Sequence, residues 1–483
     1  MAVTPWITGR CVDVISIRRP RTTKGRQIVL PNTNVPSLQA GAPFALEVTR
    51  CAIQVFVPFR STAPVTQRLS SDDREGVMQS VSPANKGFPT DRNILLLYGF
   101  SAARSAMFLV AVLVPYFEEH VGLTFREILL TEAAFAGAMV LAEVPSGWIA
   151  DQWQRKSVLV IGALLWVAGI LLLWTADGFA QVVAGQVTMG LAASMHSGAD
   201  SALLYDSLLC RGMQSQYLTI ESRRHGVGLG SIAIASAFAG PLFVWEPQSV
   251  FAFDFASFIV CGLCALFLRE PPRQRSHRGR FDFVAMVVTV VRECRANRLI
   301  LWAVLFAGGL IAATKASIWT QQAYLVFLNI DLFWFGPIAA IAFLAGGLAS
   351  QLGPALDRSF GSRATLGLVA AGTAAGFAIG GSFPMPVMIP VLFVGAIAYG
   401  LAIPALKTLV NSQVESDRRA TILSVLSLVP QLTFVALSHF VGQTVDRGNA
   451  AEGFLFLAGF TAIAAGCGWI GLARTLGKPA RPV

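Results

Sequence analysis

Arg104, Glu132, Asp200 and Lys315 are ionisable side chains inside long apolar runs of this 483-residue chain. A charge at such depth is costly, and it usually faces a cavity or a partner of opposite sign. A half-buried carboxylate can take up and release a proton as its surroundings change. A guanidinium can grip a carboxylate or phosphate through two parallel hydrogen bonds. Arg104 lies about ten residues, or 15 Å, into its run. Glu132 is its expected carboxylate partner, since their depths differ by about two turns of helix. A purely structural Arg–Glu pair is the alternative. Lys315 is followed by Trp319, Gln321, Gln322 and Tyr324; it either binds an anionic group or snorkels its ammonium outward. Lys407, close to the end of its run, reads as a snorkelling residue. Asp200, with His196 one turn before it, is a candidate proton carrier. Asp206 reads as a structural acid that caps a helix or pairs with Arg211, Arg223 or Arg224.

A second pattern occurs twice. Gly147-Trp148-Ile149-Ala150-Asp151-Gln152-Trp153-Gln154-Arg155-Lys156 and Gly353-Pro354-Ala355-Leu356-Asp357-Arg358-Ser359-Phe360-Gly361-Ser362-Arg363 each end one apolar segment and precede another. Each holds a glycine, an aspartate four residues on, and a basic residue beyond. Glycine lets a second helix come close. The aspartate lies one turn further on the same face, where it can meet the partial positive charge of a neighbouring helix N-terminus. Arg155 and Lys156 can close a charge cluster, and Glu143 is expected to belong to it. Such a cluster is a latch that forms when two halves of a protein meet and is lost when they part. The duplication itself is the mark of a membrane protein built from repeated halves, as secondary transporters are.

The elements that must position these groups are legible from composition. Hydrophobic residues make up 54% of the chain and charged ones 13%, against roughly 25% charged in soluble domains. Apolar runs recur near 94–116, 127–149, 157–175, 180–203, 225–245, 248–268, 299–325, 332–352, 364–383, 386–411, 420–442 and 453–474. Each can cross a hydrocarbon core of about 30 Å as a helix. The expected fold is therefore an all-α membrane protein, with twelve transmembrane helices in two pseudo-symmetric bundles. Residues 91–268 form the first bundle, 269–298 a cytoplasmic linker, 299–475 the second bundle and 476–483 a tail. With both termini inside, the cytoplasmic connections hold 20 Lys and Arg and the outer loops only Arg126 and Arg447. The positive-inside bias selects that orientation and places both motif copies on the cytoplasmic face.

Residues 1–90 stand apart. They carry a net charge of +6 out of +10 for the chain, without a span or a signal-peptide layout. Their polar composition predicts disorder. Two readings remain: a basic tail on anionic lipid headgroups, or an upstream stretch translated in error, with the true start at Met78; the second is preferred. The basic balance thus belongs to this tail and the loops, and does not point to nucleic acid. Cys261 and Cys264 form a C-x-x-C inside an apolar span with no second pair or histidine beside it. A metal site needs several converging ligands, so they read as small packing residues. Neither a phosphate-binding G-x-x-x-x-G-K-[ST] loop nor a nucleophile constellation is present, which argues against ATP-driven pumping and against an enzyme. No cofactor or metal is expected.

The motif residues resemble the signature of the major facilitator superfamily. Gly147, Ala150, Asp151, Arg155 and Lys156 match it, while Gln152 and Gln154 replace its usual Arg and Gly. The second copy keeps Gly353, Asp357, Arg358, Gly361 and Arg363. Glu143-Val144-Pro145-Ser146-Gly147, Ser197-Gly198-Ala199-Asp200-Ser201-Ala202-Leu203-Leu204-Tyr205-Asp206-Ser207 and the run from Arg419 are similar to a bacterial branch of it. The resemblance implies a central cavity lined by helices one, four, seven and ten, which makes Arg104 the best candidate for substrate contact. It also implies a fifth-helix glycine motif in antiporters. Gly226, Gly228, Gly230 and Gly240-Pro241 match that motif, but Val244 and Trp245 stand in place of its glycine pair. Gly240-Pro241 reads equally as a simple kink.

These readings converge on a monomeric secondary transporter of a bacterial plasma membrane. It would use an ion gradient, with protons preferred, and would export a small solute. The rival is a transporter-fold sensor or lipid-handling protein, which would have a closed apolar interior and Arg104 and Lys315 at the headgroups. In the transporter, Asp151 is expected near Arg418, Arg419 or the start of span eleven, and Asp357 near Arg223 or Arg224, whenever the cytoplasmic side is closed.

Overall fold

Inside a bilayer every backbone group must find its partner within the chain, which leaves helices as the solution for these apolar runs. The computed structural model of the protein describes residues 90–272, 292, 297–411 and 419–476, all within one compact unit, Val77–Val483. The extension before Thr90, most of the connection 269–298 and the tail lie outside the described residues. Among the described residues every regular element is helical. In chain order they are α1 (Thr90–Ser105), α2 (Phe125–Gln152), α3 (Arg155–Trp174), α4 (Phe179–His196), α5 (Ala199–Leu209), α6 (Tyr217–Trp245), α7 (Ser249–Phe267), α8 (Arg298–Phe327), α9 (Phe335–Ser382), α10 (Val394–Asn411), α11 (Arg419–Arg447) and α12 (Ala450–Leu476), with short helical turns between them.

Ten described segments are long and apolar enough to cross a membrane. They correspond to all the expected spans except the second and fourth. The second is the 28-residue α2, which carries Glu132 and Glu143. The fourth is divided into α4 and α5 by Ser197-Gly198, where Gly198 turns left-handed at φ 77°. Two expected spans run together in α9, whose only non-helical residue is Gly361 at φ 76°. That is the conformation glycine adopts without strain, and it falls inside the second motif copy.

Helix ends carry their own caps. Thr124 and Glu127 form a reciprocal capping box at the start of α2. The Asn297 side chain accepts from the amides of Leu299 and Ile300 at the start of α8. The two halves meet along α2 with α11 and along α6 with the first part of α9. At the second of these seams Gly240 lies under the Phe333 carbonyl and Gly336 under that of Ser236, so a side chain at either position would collide with backbone. Gly442 of α11 is likewise closed by the Arg126 Cα, 2.5 Å from where a side chain would begin. All three contacts lie at the face that carries Thr124 and Trp245, here called the distal face. The face that carries Gln152, Leu209 and both motif copies is the motif face.

Candidate functional site

The most densely bonded polar cluster centres on Arg224 of α6. Its guanidinium donates to Asp200 Oδ2 at 2.5 Å, Ser101 at 2.9 Å and Ser201 at 3.0 Å, and to both oxygens of Glu221 at 2.6 and 2.9 Å. Ser201 also donates to Glu221 at 2.8 Å. The planar fork of arginine matches this arrangement, because five N–H groups in one plane can serve two carboxylates at once. Asp200 and Arg224 are both buried. Arg104 of α1 reaches the same Asp200 oxygen only at 3.8 Å, and its Nε is buried without a hydrogen-bond partner.

This corrects the pairing expected for Arg104: the carboxylate beside it is Asp200, not Glu132. In this conformation Arg224 is the centre of a cluster inside the first half. His196 does not assist Asp200 by a hydrogen bond: its ring bonds the Leu159 carbonyl at 3.1 Å and packs edge-on to Phe100 at 5.0 Å. The helix is interrupted at Ser197-Gly198, so His196 and Asp200 lie on different helices, and the ring is taken up by Leu159 and Phe100.

Glu132 and Lys315 form a second pair of opposite charges, on different halves. Glu132 accepts from Gln186 of α4 at 2.6 Å. Lys315 donates to Gln431 of α11 at 2.7 Å and lies over the rings of Phe434 at 4.4 Å and Phe135 at 5.7 Å. Each charge feels the other's field, yet among the described residues no direct ion pair joins them. Glutamines hold both charges inside the bundle, so Lys315 does not snorkel to a surface.

At the distal face, α1 is broken. After Ser105 the chain leaves the helix and resumes in short turns from Leu109. The break exposes amides that Asp254 of α7 takes up, accepting from Phe108 at 2.6 Å and Leu109 at 3.2 Å. A carboxylate at such an N-terminus is favoured by the free N–H groups and the dipole. From the other half, Gln322 of α8 donates to the Val110 carbonyl at 2.8 Å and accepts from the Val114 amide at 3.0 Å. Asp446 of α11 accepts from the Arg126 amide at 3.3 Å at the start of α2. The distal face is thus closed by hydrogen bonds between the halves. In the turn after α1, beyond the spans, burial pushes the Glu118 carboxyl up to about 7, with Asp446 and Glu119 adding to the effect.

At the motif face, the residues bond within each half. Arg155 pairs with Asp206, and the amides of Arg155 and Lys156 donate to Glu270, each at 2.9 Å. Arg211 pairs with Asp91 at 2.7 Å. Glu143 accepts from Ser197 at 2.8 Å and keeps one buried oxygen unpaired, so in this conformation it joins α2 to the α4–α5 break. A side chain at Gly147 would meet open space, and one at Gly353 only ordinary contact with Leu401. Asp357 has a buried oxygen without a partner, and among the described residues no ion pair links it to Arg223 or Arg224. Arg223, Arg358 and Arg363 are exposed. The Asp151 and Arg419 side chains, and all of Arg418, lie outside the described residues, as therefore does their expected contact.

Several residues of the site were missed by sequence reasoning. Asp254 is an acid within the sixth apolar run, the same signal that singled out Glu132. Glu221 falls in a stretch read as a loop, because α6 begins at Tyr217, eight residues before the expected span. Gln186 and Gln431 carry no charge to draw attention, and Gln322, noted beside Lys315, gave no sign of its partners Val110 and Val114. The α1 break has neither proline nor glycine to announce it.

Comparison with known proteins agrees with this architecture. The family model described as Major Facilitator Superfamily matches residues 94–436. Among solved structures, the chain is similar to a nucleoside transporter, NupG, as a D323A mutant (TM-score 0.70, 15% identity, covering 78% of this chain and 99% of that one). It is similar to a bacterial homolog of the human lysosomal transporter Spinster in an inward-facing, unoccupied conformation (0.65, 17%, 83% and 100%). It is also similar to a D-xylose–proton symporter (0.63, 13%, 81% and 99%). At these identities the likeness speaks for the fold, and the family match carries the assignment: the chain belongs to the major facilitator superfamily.

Proposed function

We propose that the protein is a secondary active transporter that moves a small solute across the membrane by alternating access. The observation that carries this reading is the asymmetry of the two faces. Bonds between the halves, through Gln322 and Asp446, close the distal face, while the described bonds of the motif residues stay within one half. Between the two layers lie the Arg224 cluster and the Glu132–Lys315 pair. A closed layer on one side and charged groups at mid-depth are what a carrier open to one side requires.

In this reading twelve spans place both termini and the motif face in the cytoplasm of a bacterial-type cell, and the protein works as a monomer. Protons are the coupling ion and Glu132 the carrier: it is a buried carboxylate between halves, opposed by Lys315. The solute leaves the cell, supported by the apolar spans and by Gly226, Gly228, Gly230 and Gly240-Pro241. The polar contacts of Arg104 with Asp200 and of Lys315 with Gln431 inside the bundle speak against a sensor with an apolar interior. The test is proton flux in proteoliposomes across a panel of solutes. The expected result is solute-dependent proton movement that Glu132→Gln abolishes while solute exchange persists. Solute movement with unchanged proton coupling in Glu132→Gln would remove Glu132 from the role.

A further inference from the structure

Resting on the transporter reading, we infer that Arg104 anchors the anionic group of a small organic solute, a carboxylate, sulfonate or phosphate, between the halves, where Lys407 adds positive field. The first support is the loose seating of Arg104. The two carboxylates of the cluster, Asp200 and Glu221, are both hydrogen-bonded by the fork of Arg224, with the hydroxyls of Ser101 and Ser201 filling the remaining positions. Arg104 takes part in none of these hydrogen bonds. It meets Asp200 only at 3.8 Å, its side chain is 35% exposed, and its buried Nε has no acceptor. An unpaired buried donor is costly. An anion at the exposed end of the guanidinium would replace the loose contact with Asp200 by a two-point grip.

The second support is where the other cations lie. His225 follows Arg224 on α6 and is exposed. One turn further along α6, Leu229 lies 3.7 Å from where a side chain would begin at Gly347 of α9. The neighbouring Gly346 is in turn closed by Ala396 of α10, and Gly400 of α10 by the Gly346 carbonyl. Thus α9 has α6 on one side and α10 on the other, and both His225 and Lys407 lie on the motif-face side of that crossing. His225 lies in the fields of Arg224, Lys407 and Arg104 and in the opposite field of Glu221, which places these groups around it. Lys407 is exposed, and among the described residues no carboxylate pairs with it. A cationic solute would be repelled by Arg104 and Lys407, and a neutral one would lack their charge attraction.

The experiment uses the full chain in lipid nanodiscs and three probes with one ring and different charge: benzenesulfonate, benzyl alcohol and benzyltrimethylammonium. Benzenesulfonate is expected to raise the melting temperature in a saturable way, and the other two to leave it unchanged. Arg104→Gln should weaken the sulfonate response by about tenfold or more, Arg104→Lys by less, and Lys407→Gln severalfold. The melting temperatures without probe report whether each variant is folded, and Lys407→Gln changes only an exposed side chain. Equal responses to all three probes, no response to the sulfonate, or a response unchanged in Arg104→Gln and Arg104→Lys would overturn the inference. Solute flux in proteoliposomes separates it from the transporter reading. Movement of neutral or cationic solutes without sulfonate binding sinks the anion site alone. Sulfonate binding at Arg104 with both faces fixed sinks alternating access and leaves the site standing.

Discussion

Replacing Gln322 by methionine should open the distal face. The side chain keeps its length and apolar stem but loses its amide, and with it the bonds to the Val110 carbonyl and the Val114 amide. Both bonds cross between the halves and exist only while that face is closed. An ordinary hydrogen bond contributes about 0.5–1.5 kcal/mol net, so the pair stabilises the closed state by about 1–3 kcal/mol. Val110 and Val114 stand four residues apart, the spacing of a helical hydrogen bond, so the freed carbonyl and amide can turn to each other, which places the loss toward the lower end. Converted to populations, the closed-to-open ratio should fall about 5- to 150-fold. The assay is a distance distribution between spin labels at Asp177 in the first half and Glu452 in the second, both exposed. In the parent a short-distance population should dominate, and in Gln322→Met a longer one should grow at its expense. An unchanged distribution in a folded Gln322→Met protein would mean that this bridge does not hold the face closed.

Three further outcomes follow from the same contacts. Asp254→Ala should lower thermal stability by about 1–3 kcal/mol, the cost of leaving buried donors unpaired, whereas Asp254→Asn, which keeps one acceptor oxygen, should lose less; equal melting curves would show that the broken α1 does not depend on this carboxylate. Arg224→Lys should also destabilise by about 1–3 kcal/mol and impair transport, since a point charge cannot serve Asp200 and Glu221 together; full activity and stability in that variant would demote the cluster. Glu118 is held at about 7 in the closed distal face, above its ordinary 4.5. The closed state therefore binds the proton more tightly, and its stability is full at low pH and declines as pH rises through that interval. Raising pH from about 5 to about 8 should lengthen the Asp177–Glu452 distance, and Glu118→Gln should remove the dependence; a pH response that survives in Glu118→Gln would assign it to another group.

Much of the architecture was legible in the sequence, because each helix in a bilayer must be long, apolar and self-bonded, and the chain advertises that requirement run by run. The two spans that fall short as continuous apolar helices, α2 and the α4–α5 pair, are those that carry Glu132, Glu143 and Asp200. The charged side chains there interrupt a clean hydrophobic signal. Single residues were legible as well: Arg104, Glu132, Asp200 and Lys315 all take part in buried polar contacts. Their partners were not. Pairing depends on which way each helix face turns, and a break such as that at Gly198 reorients everything after it. The motif residues show a different limit. Arg155 and Glu143 bond inside one half in this conformation, and a spacing in the chain does not say in which state a contact is made. Uncharged partners such as Gln322 and Gln431 are invisible to any search for charge.

Alternating access is tested most directly by measuring both faces of the same molecules. One label pair at Asp177 and Glu452 reports the distal face; a second, at Arg211 in the first half and Arg358 in the second, reports the motif face. As conditions shift the population, through Gln322→Met or through pH, the two distances should change in opposite senses, the distal pair lengthening as the motif pair shortens. Distances that stay fixed on both faces, or that lengthen together, would contradict the carrier reading of this chain.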